Sequence, residues 1–297
     1  MLTLIILCVF IGIMNPVFFS PTNIISVMRQ ISLTAIMAVG MSFVVITAGI
    51  DLSVGSFLSF GGVACASMAM AGMNPWLAFA ITLALCIGLG MTSGIVVVRL
   101  KINPFIVTLA MLNIVSGIAY MISKAMPIQF ENDVDVFGAS INGVLPMPII
   151  LMIIIVIIGI IFLTKTEFGR HIFAVGANEK GAKLSGVNVN QVKVSVYAIS
   201  ALLAGFCGIV AAGNYSSAVV NAGTGKELDV IAAAVIGGCS LSGGRGSVWG
   251  ALIGAAILGV IRNGFVLLKV SAYFQSITIG IIIIAACAID QIRNNKE

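Results

Sequence analysis

Charged residues are scarce in this sequence of 297 residues. Asp, Glu, Lys and Arg together make up 8% of it, whereas hydrophobic residues make up 60%. A soluble domain carries about 25% charged residues, so this shortage excludes an ordinary soluble domain. The mean hydropathy of +1.19 indicates an integral membrane protein with little mass outside the bilayer.

The sequence also lacks the residue groups that hold metals, form disulfides or bind nucleic acid. The six cysteines lie singly in apolar runs without a Cys-x-x-Cys pair, which is typical of small core residues. The one histidine, His171, has no second histidine with which to form a metal site. The net charge of +5 is not gathered into basic runs interleaved with aromatic residues, so no nucleic-acid partner is predicted. We expect no catalytic residue, metal or cofactor.

What the sequence has in abundance is apolar runs separated by short polar breaks. At about 20 residues per membrane span, the chain length allows about ten spans with short loops. The apolar runs are 2–19, 31–50, 57–73, 76–98, 104–122, 148–164, 194–213, 229–241, 247–261 and 272–289. A short interfacial helix is expected over 22–30, and the run 229–241 is too brief to cross alone. The sequence therefore predicts an all-α, polytopic membrane protein of about ten transmembrane helices in one domain, 1–297.

The longest polar interval is 165–193. It holds five of the fifteen Lys and Arg residues but only two acidic residues, and apolar runs flank it on both sides. Basic loops between apolar spans are typical of the cytoplasmic side of a membrane. If the N-terminus lies inside, ten basic residues fall on the inner side and five on the outer side. Both termini are therefore predicted to be cytoplasmic.

A short helix is predicted inside this polar interval. Asn178 can act as its N-cap, Glu179 then lies at the positive end of the helix dipole, and Gly186 can end it. Two interpretations are open at this point. The segment is either a solvated loop between two spans or a docking helix for a soluble partner.

Two short motifs resemble each other. Residues 49–55 read GIDLSVG and residues 238–244 read GCSLSGG, and each follows a glycine-rich apolar run. Transporters are often built from repeats with interrupted spans at matching positions; chance similarity is the alternative. The candidate gating or structural residues in the two motifs are Gly49, Asp51, Leu52, Ser53, Gly55, Ser242, Gly243 and Gly244. We expect the Asp51 carboxylate to cap the following helix over Ser53 and Val54, rather than to carry a transported proton.

Polar side chains that recur on one helical face form a candidate translocation pathway. Asn113, Ser116 and Tyr120 are three and four residues apart, so they share one face of the fifth predicted span. Facing hydrocarbon would leave each polar group unpaired at a cost of about 1–3 kcal/mol, so we expect them to face the interior of the bundle. Asn214 and Tyr215, at the outer end of the seventh span, complete the pathway. Hydrogen bonding between helices is the alternative role for all five residues.

Two segments superficially resemble nucleotide-binding motifs. LSGGR at 241–245 is similar to an ABC ATPase signature, and GTGKE at 223–227 is similar to a phosphate-binding loop. A phosphate-binding loop has the form GxxxxGK followed by Ser or Thr, whereas here Val220 occupies the first glycine position and Glu227 the last position. This chain is therefore not expected to hydrolyse ATP.

Four segments together resemble the ribose-type permeases of bacterial ABC importers. They are AIMAVGMSFVVITAGIDLSVGS (35–56), NPFIVTLAML (103–112), FGRHIFAVGANEKGAKLSGVNVNQVK (168–193) and GGCSLSGGRGSVWGALIGA (237–255). The resemblance implies the ABC importer permease fold in a bacterial inner (plasma) membrane, surrounded by lipid. It also implies three protein partners: an ABC ATPase subunit inside, an extracytoplasmic sugar-binding protein outside, and a second permease subunit in a homodimer or heterodimer.

The resemblance assigns the interval 165–193 a role as the cytoplasmic coupling loop. Importer permeases carry an EAA-like coupling helix followed by a glycine, and Glu179, Ala182 and Gly186 are the matching positions, with Asn178 before them. The motif is degraded in this chain, since residues 179–182 read EKGA, which leaves its register open.

We therefore expect the permease subunit of an ATP-driven importer for a monosaccharide, ribose-like first. Other pentoses, hexoses, nucleosides and autoinducer-2 remain open as substrates. An ion-coupled secondary transporter is the alternative from another class. That mechanism usually needs ionisable groups within the membrane, and Asp51 and Asp229 are the few candidates, both near span ends. A structural membrane scaffold is a third possibility, and copurification with an ATPase would separate the importer from both.

Overall fold

The computed structural model describes residues 1–130, 133–141 and 145–294, and this part of the chain is mostly helical. Its α-helices are α1 (Leu2–Met14), α2 (Pro21–Ile46), α3 (Val54–Met70), α4 (Pro75–Leu100), α5 (Pro104–Ser123), α6 (Met147–Lys165), α7 (Glu167–Ala177), α8 (Glu179–Leu184), α9 (Val189–Tyr215), α10 (Lys226–Ile236), α11 (Val248–Leu267) and α12 (Ala272–Asn294). Two antiparallel pairs of very short strands join loops, namely β1 (Ile128–Gln129) with β4 (Ser217–Ala218) and β2 (Ser140–Ile141) with β3 (Leu145–Pro146).

These helices agree with the predicted all-α, polytopic fold. In the described part of the chain, seven helices are long and apolar enough to cross a membrane, namely α2, α4, α5, α6, α9, α11 and α12. α1 and α3 are shorter apolar helices, and α10 has only 11 residues. The separate interfacial helix predicted over 22–30 is wrong, because α2 runs without a break from Pro21 to Ile46. No proline or glycine interrupts the chain between Pro21 and Gly40.

Asparagine–proline steps start α4 and α5. The Asn74 side-chain oxygen accepts a hydrogen bond from Trp76 N at 3.0 Å, and that of Asn103 accepts one from Phe105 N at 2.9 Å. A proline at the first helical position has no N–H group to leave unpaired there. The same residues that interrupt the apolar pattern therefore begin the next helix.

Glycines let the central helices approach one another closely. Gly61 of α3 packs on Gly205 of α9, and Gly62 of α3 packs on Gly208, so that a side chain at either position of α3 would meet the α9 backbone. On another side of α9, Gly90 of α4 lies against the α9 backbone in the same way. Small residues at such spacing are the usual means of close helix packing in lipid.

The helices form two halves. Corresponding helices of the two halves make the same contacts but run in opposite directions. α9 packs on α2, α3 and α4, whereas α2 packs on α9, α10 and α11. α3 also contacts α5, as α10 contacts α12. α2 and α9 are antiparallel, since Gly40 lies on Ser200 while Leu33 O accepts from Cys207 Sγ. Helices α2–α5 and α9–α12 therefore have an inverted-repeat arrangement.

The similar motifs 49–55 and 238–244 do not occupy matching positions in these halves. The first motif precedes α3, whereas the second follows α10. The segment that corresponds to 49–55 in the second half is the loop between α9 and α10. The repeat is real, but these two motifs are not its copies.

α3 and α10 are short helices whose N-terminal ends meet inside the bundle. The start of α3 is level with the middle of α9, because Asp51 binds Ser200 there. Gly55, in the first turn of α3, packs against Gly223 and Glu227 at the start of α10. Broken helices of this kind place two helix N-termini, each with a partial positive charge, deep in a membrane domain.

Candidate coupling helices and translocation site

The interval 165–193 begins with a helix that is absent from the sequence prediction. The Thr166 hydroxyl accepts a hydrogen bond from Gly169 N at 3.1 Å and caps α7. α7 buries Ile172 and Val175 against the bundle. The available signal was a capping threonine followed by apolar residues at helical spacing.

α8 has the caps that the sequence predicts. Asn178 Oδ1 accepts a hydrogen bond from Gly181 N at 2.9 Å. The chain leaves the helix through Gly186, which has a φ of +86°, and Val187 N donates back to Ala182 O at 3.0 Å. Ala182 is buried and anchors α8. The helix is therefore confirmed, while its coupling role stays a prediction.

The outward face of α8 is basic and carries one apolar side chain. Leu184 is 89% exposed, and Lys180 and Lys183 are exposed beside it. The Glu179 carboxylate forms an ion pair with Lys193 of α9, with 2.6 Å between Oε2 and Nζ. α8 therefore presents cations and a leucine outside the bundle, while its acid is turned back onto α9.

The end of α2, the end of α7 and the loop after α10 meet at one point. We call it the glycine junction, and it is formed by Ile46, Ala48, Gly176, Gly243 and Gly244. Gly244 N donates to Ile46 O at 2.8 Å. Gly176 faces Ile46 O and Gly244 N with no room for a Cβ atom. Gly243, with a φ of +85°, lies against Ala48 and Gly176 O. The loop after α10 thus docks on the chain that leaves α2 and on the end of α7.

The loop after α10 is also tied to α12. Ser240 Oγ and Leu241 N both donate to Asp290 Oδ2, at 3.2 and 3.1 Å. Ser242 N donates to Ser240 Oγ at 3.3 Å. This loop therefore links the ends of α2, α7, α10 and α12.

The turn before α3 surrounds a buried carboxylate. Asp51 is 1% exposed and accepts from Ser53 N at 2.9 Å, from the Ser53 hydroxyl, and from Ser200 Oγ at 2.7 Å. The expected bond to Ser53 forms, but Ser53 is itself the N-cap of α3, and no side-chain cap hydrogen bond is found at that described helix start. Asp51 lies near a span end as expected, between the end of α2 and the start of α3, but the chain turns back into the bundle there. The bond to Ser200 had no sequence signal, since it joins residues 149 positions apart.

Neighbouring helices close this turn on both sides. Ile50 O accepts from the Thr108 hydroxyl of α5 at 3.3 Å and from the Tyr197 hydroxyl of α9 at 3.5 Å. Leu52 is buried, and Gly49 packs against the Tyr197 hydroxyl. The turn before α3 is therefore sealed.

The pathway residues predicted on α5 do not face the interior of their own bundle. Asn113 and Tyr120 are exposed and Ser116 is half-buried, whereas the buried face of α5 is mostly apolar. The Asn113 amide donates to Leu109 O of its own helix at 3.0 Å. The expectation fails because helical spacing shows which residues share a face but not which way that face points.

Asn214 and Tyr215 are placed differently. Asn214 is half-buried, and its Oδ1 has no hydrogen-bond partner in the part of the chain that the structure describes. Tyr215 is 65% exposed and lines a cavity of about 110 Å³ between α2, α9, α10 and α11. Lys226, Asp229 and Arg262 also line this cavity.

The sequence interpretation named Asp229 but missed the charged residues that gather around it at the start of α10. An Arg262 guanidinium nitrogen donates to Asp229 Oδ1, and Lys226 Nζ lies 3.9 Å from Asp229 Oδ2. Glu227 is half-buried next to Gly55. A signal was present, since Arg262 directly follows the apolar run 247–261, and ionisable groups inside membrane segments mark functional sites.

Comparison with known proteins identifies the family. The profile described as "Branched-chain amino acid transport system / permease component" matches residues 23–287. The chain is 40% identical to the ribose import permease protein RbsC of Escherichia coli K12, over 100% of this chain and 93% of that protein. It is 39% identical to RbsC of Bacillus subtilis 168 (98% and 91% covered) and 38% identical to the D-allose transport system permease protein AlsC of Escherichia coli K12 (95% and 87% covered). No solved structure matches it. The chain therefore belongs to the ribose-type permeases of ABC importers.

Proposed function

We propose that this chain is the permease subunit of an ATP-driven importer for a ribose-like monosaccharide and forms its route through the membrane. The observation that carries the proposal is the relation to ribose import permeases, at 40% identity over 100% of the chain. The similar D-allose permease extends the expected substrate class to hexoses. The substrate is therefore a neutral pentose or hexose.

α8 is the proposed docking site of a separate ATPase subunit on the cytoplasmic side. A cleft of about 750 Å³ between the α4–α5 turn and α8 is lined by Lys101, Lys180, Lys183 and Lys193. Positive charge beside apolar spans favours the cytoplasmic side. The tie between Asp290 and the loop after α10 supports a C-terminus on that same side. The N-terminus lies there too in this proposal, and the sugar-binding protein docks on the opposite face.

A second permease subunit completes the proposed pathway. The apolar stretch Tyr273–Ile292 of α12 is only 6% buried in this chain. Asn113 and Tyr120 are exposed on α5. Polar groups that face hydrocarbon are costly, so a second copy placed against α5 and α12 would enclose them around an aqueous route. Homodimer and heterodimer satisfy this argument equally.

The glycine junction provides a route by which ATPase movement reaches the pathway. Displacement of α8 would carry α7 with it, because Asn178 directly joins the two helices. Gly176 would then press on Ile46 and Gly244, which offer no space for rearrangement without a shift of backbone. The motion would pass to α2 directly and to α12 through Asp290.

The proposal is tested by reconstituting the chain in liposomes with its cognate ATPase and sugar-binding protein. We expect ribose uptake that requires ATP and all three proteins. A complex that hydrolyses ATP in response to the binding protein but accumulates no pentose or hexose would contradict the substrate class. Uptake that persists without the ATPase and follows a proton gradient would instead identify an ion-coupled transporter.

A further inference from the structure

The start of α10 carries a concentration of charge that coupling to the ATPase does not explain. Lys226, Glu227 and Asp229 lie in its first turn, and Arg262 of α11 pairs with Asp229. Ionisable groups inside a membrane domain are costly and are typical of substrate or ion pathways. Four such groups at the junction of two short helices therefore point to a site.

The Asp229 carboxylate is paired with both cations. Arg262 donates to one Asp229 oxygen, and Lys226 Nζ lies 3.9 Å from the other. Lys226, Asp229 and Arg262 together have a formal charge of +1, and Glu227 lies in the same turn but packs against Gly55. The Asp229 side chain is 6% exposed, whereas those of Arg262 and Lys226 are 37% and 39% exposed. The acid is thus buried, while the cations remain partly open.

The cluster also has unused hydrogen-bonding capacity. Arg262 Nε is buried and has no hydrogen-bond partner among the residues that the structure describes. A buried donor left in this state costs about 1–3 kcal/mol. An acceptor oxygen from a bound molecule would remove that cost.

Open space adjoins the cluster on two sides. The cavity of about 110 Å³ also carries Gln30, Thr34 and Tyr215 on its wall. On the other side, a groove of about 350 Å³ lies against α12 and is lined by Thr224 and Ser276 as well as by the cluster. Each opening therefore offers a few amide or hydroxyl groups beside the cluster, on walls that are otherwise mostly apolar.

We propose that Lys226, Asp229 and Arg262 form a contact site for a neutral sugar within the permease, with two adjacent sugar hydroxyl groups bound by Asp229 and Arg262. A pair of hydroxyl groups supplies acceptor oxygens to the guanidinium and ammonium groups and hydrogen-bond donors to the carboxylate. The inference rests on the proposed function, because that function supplies the substrate class.

The experiment uses the complete importer in liposomes and compares wild type with the double variant Asp229→Asn/Arg262→Gln. This neutral pair can still hydrogen-bond within the bundle, so the complex should assemble and its ATPase should respond to the loaded binding protein. We expect ribose uptake to fall about tenfold or more, because bonds between ligands and charged groups are lost. Lys269→Gln, an exposed cation in the turn after α11, is the matched control and should keep wild-type uptake.

A second readout separates sugar contact from a purely structural role. In a cysteine-free importer carrying Thr224→Cys, excess ribose should slow modification by a small thiol reagent, and the neutral pair should abolish this protection. Wild-type uptake and intact protection in the neutral pair would overturn the inference while leaving the importer function in place. An unaltered importer that takes up no pentose or hexose would overturn the proposed function, and this inference with it.

Discussion

The two short helices α3 and α10 begin in contact with each other, yet their first turns are built differently. Before α3, the Asp51 carboxylate is 1% exposed and is held by Ser53 and Ser200. At α10, the Asp229 carboxylate is shared by two cations whose side chains are more than one third exposed. One helix start is sealed, and the other borders a cavity and a groove.

This difference shows how one arrangement serves two purposes in an inverted repeat. An acid near a helix N-terminus is favoured by the helix dipole. With fully satisfied hydrogen bonds it holds the turn in place, as Asp51 does. When its partners remain open to solvent, such an acid retains the capacity to bind a ligand, as we propose for Asp229.

The largest effect is expected where the two helix starts touch. Gly55→Ala would drive a Cβ atom into Gly223 O and the Glu227 carboxylate. Because backbone cannot yield as a flexible side chain does, we expect the free energy of unfolding to fall by about 1–3 kcal/mol or more. Thermal unfolding of the purified permease in detergent measures this. Gly88→Ala is the control, since nothing lies within 4 Å of its added Cβ; equal unfolding temperatures for both variants would contradict the packing.

Opening the sealed turn should have the next largest effect. Asp51→Ala removes the acceptor of the buried Ser53 and Ser200 hydroxyls, at a cost of about 1–3 kcal/mol. Asp51→Asn keeps an acceptor oxygen, so it should remain more stable and retain substantial uptake. Thermal unfolding and uptake assays on both variants provide the check. If uptake by the wild type depends on a proton gradient and Asp51→Asn abolishes that uptake, this carboxylate carries protons.

A smaller, local effect is expected at the coupling helix. Asn178→Ala removes the cap of α8 and should destabilise that helix by about 1 kcal/mol. We expect less ATPase to copurify with the permease, while the unfolding temperature of the permease itself stays the same. Asn221→Ala is the control, because Asn221 is exposed in the loop before α10, does not line the cleft at α8, and shows no side-chain hydrogen bond within the described residues. Equal ATPase recovery from both variants would argue against docking on α8.

The smallest effect is expected from the ion pair between Glu179 and Lys193. The Glu179 side chain is 58% exposed, and exposed pairs contribute about 0–1 kcal/mol. Lys193→Gln should therefore weaken ATPase binding slightly at low salt and not at all at high salt, where the charges are screened. Measuring ATPase binding to the permease across a salt series tests this. A large loss of binding that does not change with salt would indicate that Lys193 contacts the ATPase directly.

The sequence was sufficient for features that depend on neighbouring residues. Apolar runs predict the helices, and Asn178 and Gly186 bound α8 through contacts within a few positions. It was insufficient where distant segments decide the outcome. The depth of Asp51 depends on Ser200, and the direction of the polar face of α5 depends on which helices pack on its other face. The cluster at α10 required Asp229 and Arg262 to be brought together from separate helices.

The contrast between the sealed and the open helix start can be tested most directly by accessibility. In a cysteine-free importer, the variants Ser200→Cys and Thr224→Cys would each be treated with a small, water-soluble thiol reagent. Ser200 is 1% exposed beside Asp51, whereas Thr224 is exposed on the groove at α10. We predict rapid modification at 224 and none at 200 in the folded, assembled complex. Equal rates of modification at the two positions would contradict the account.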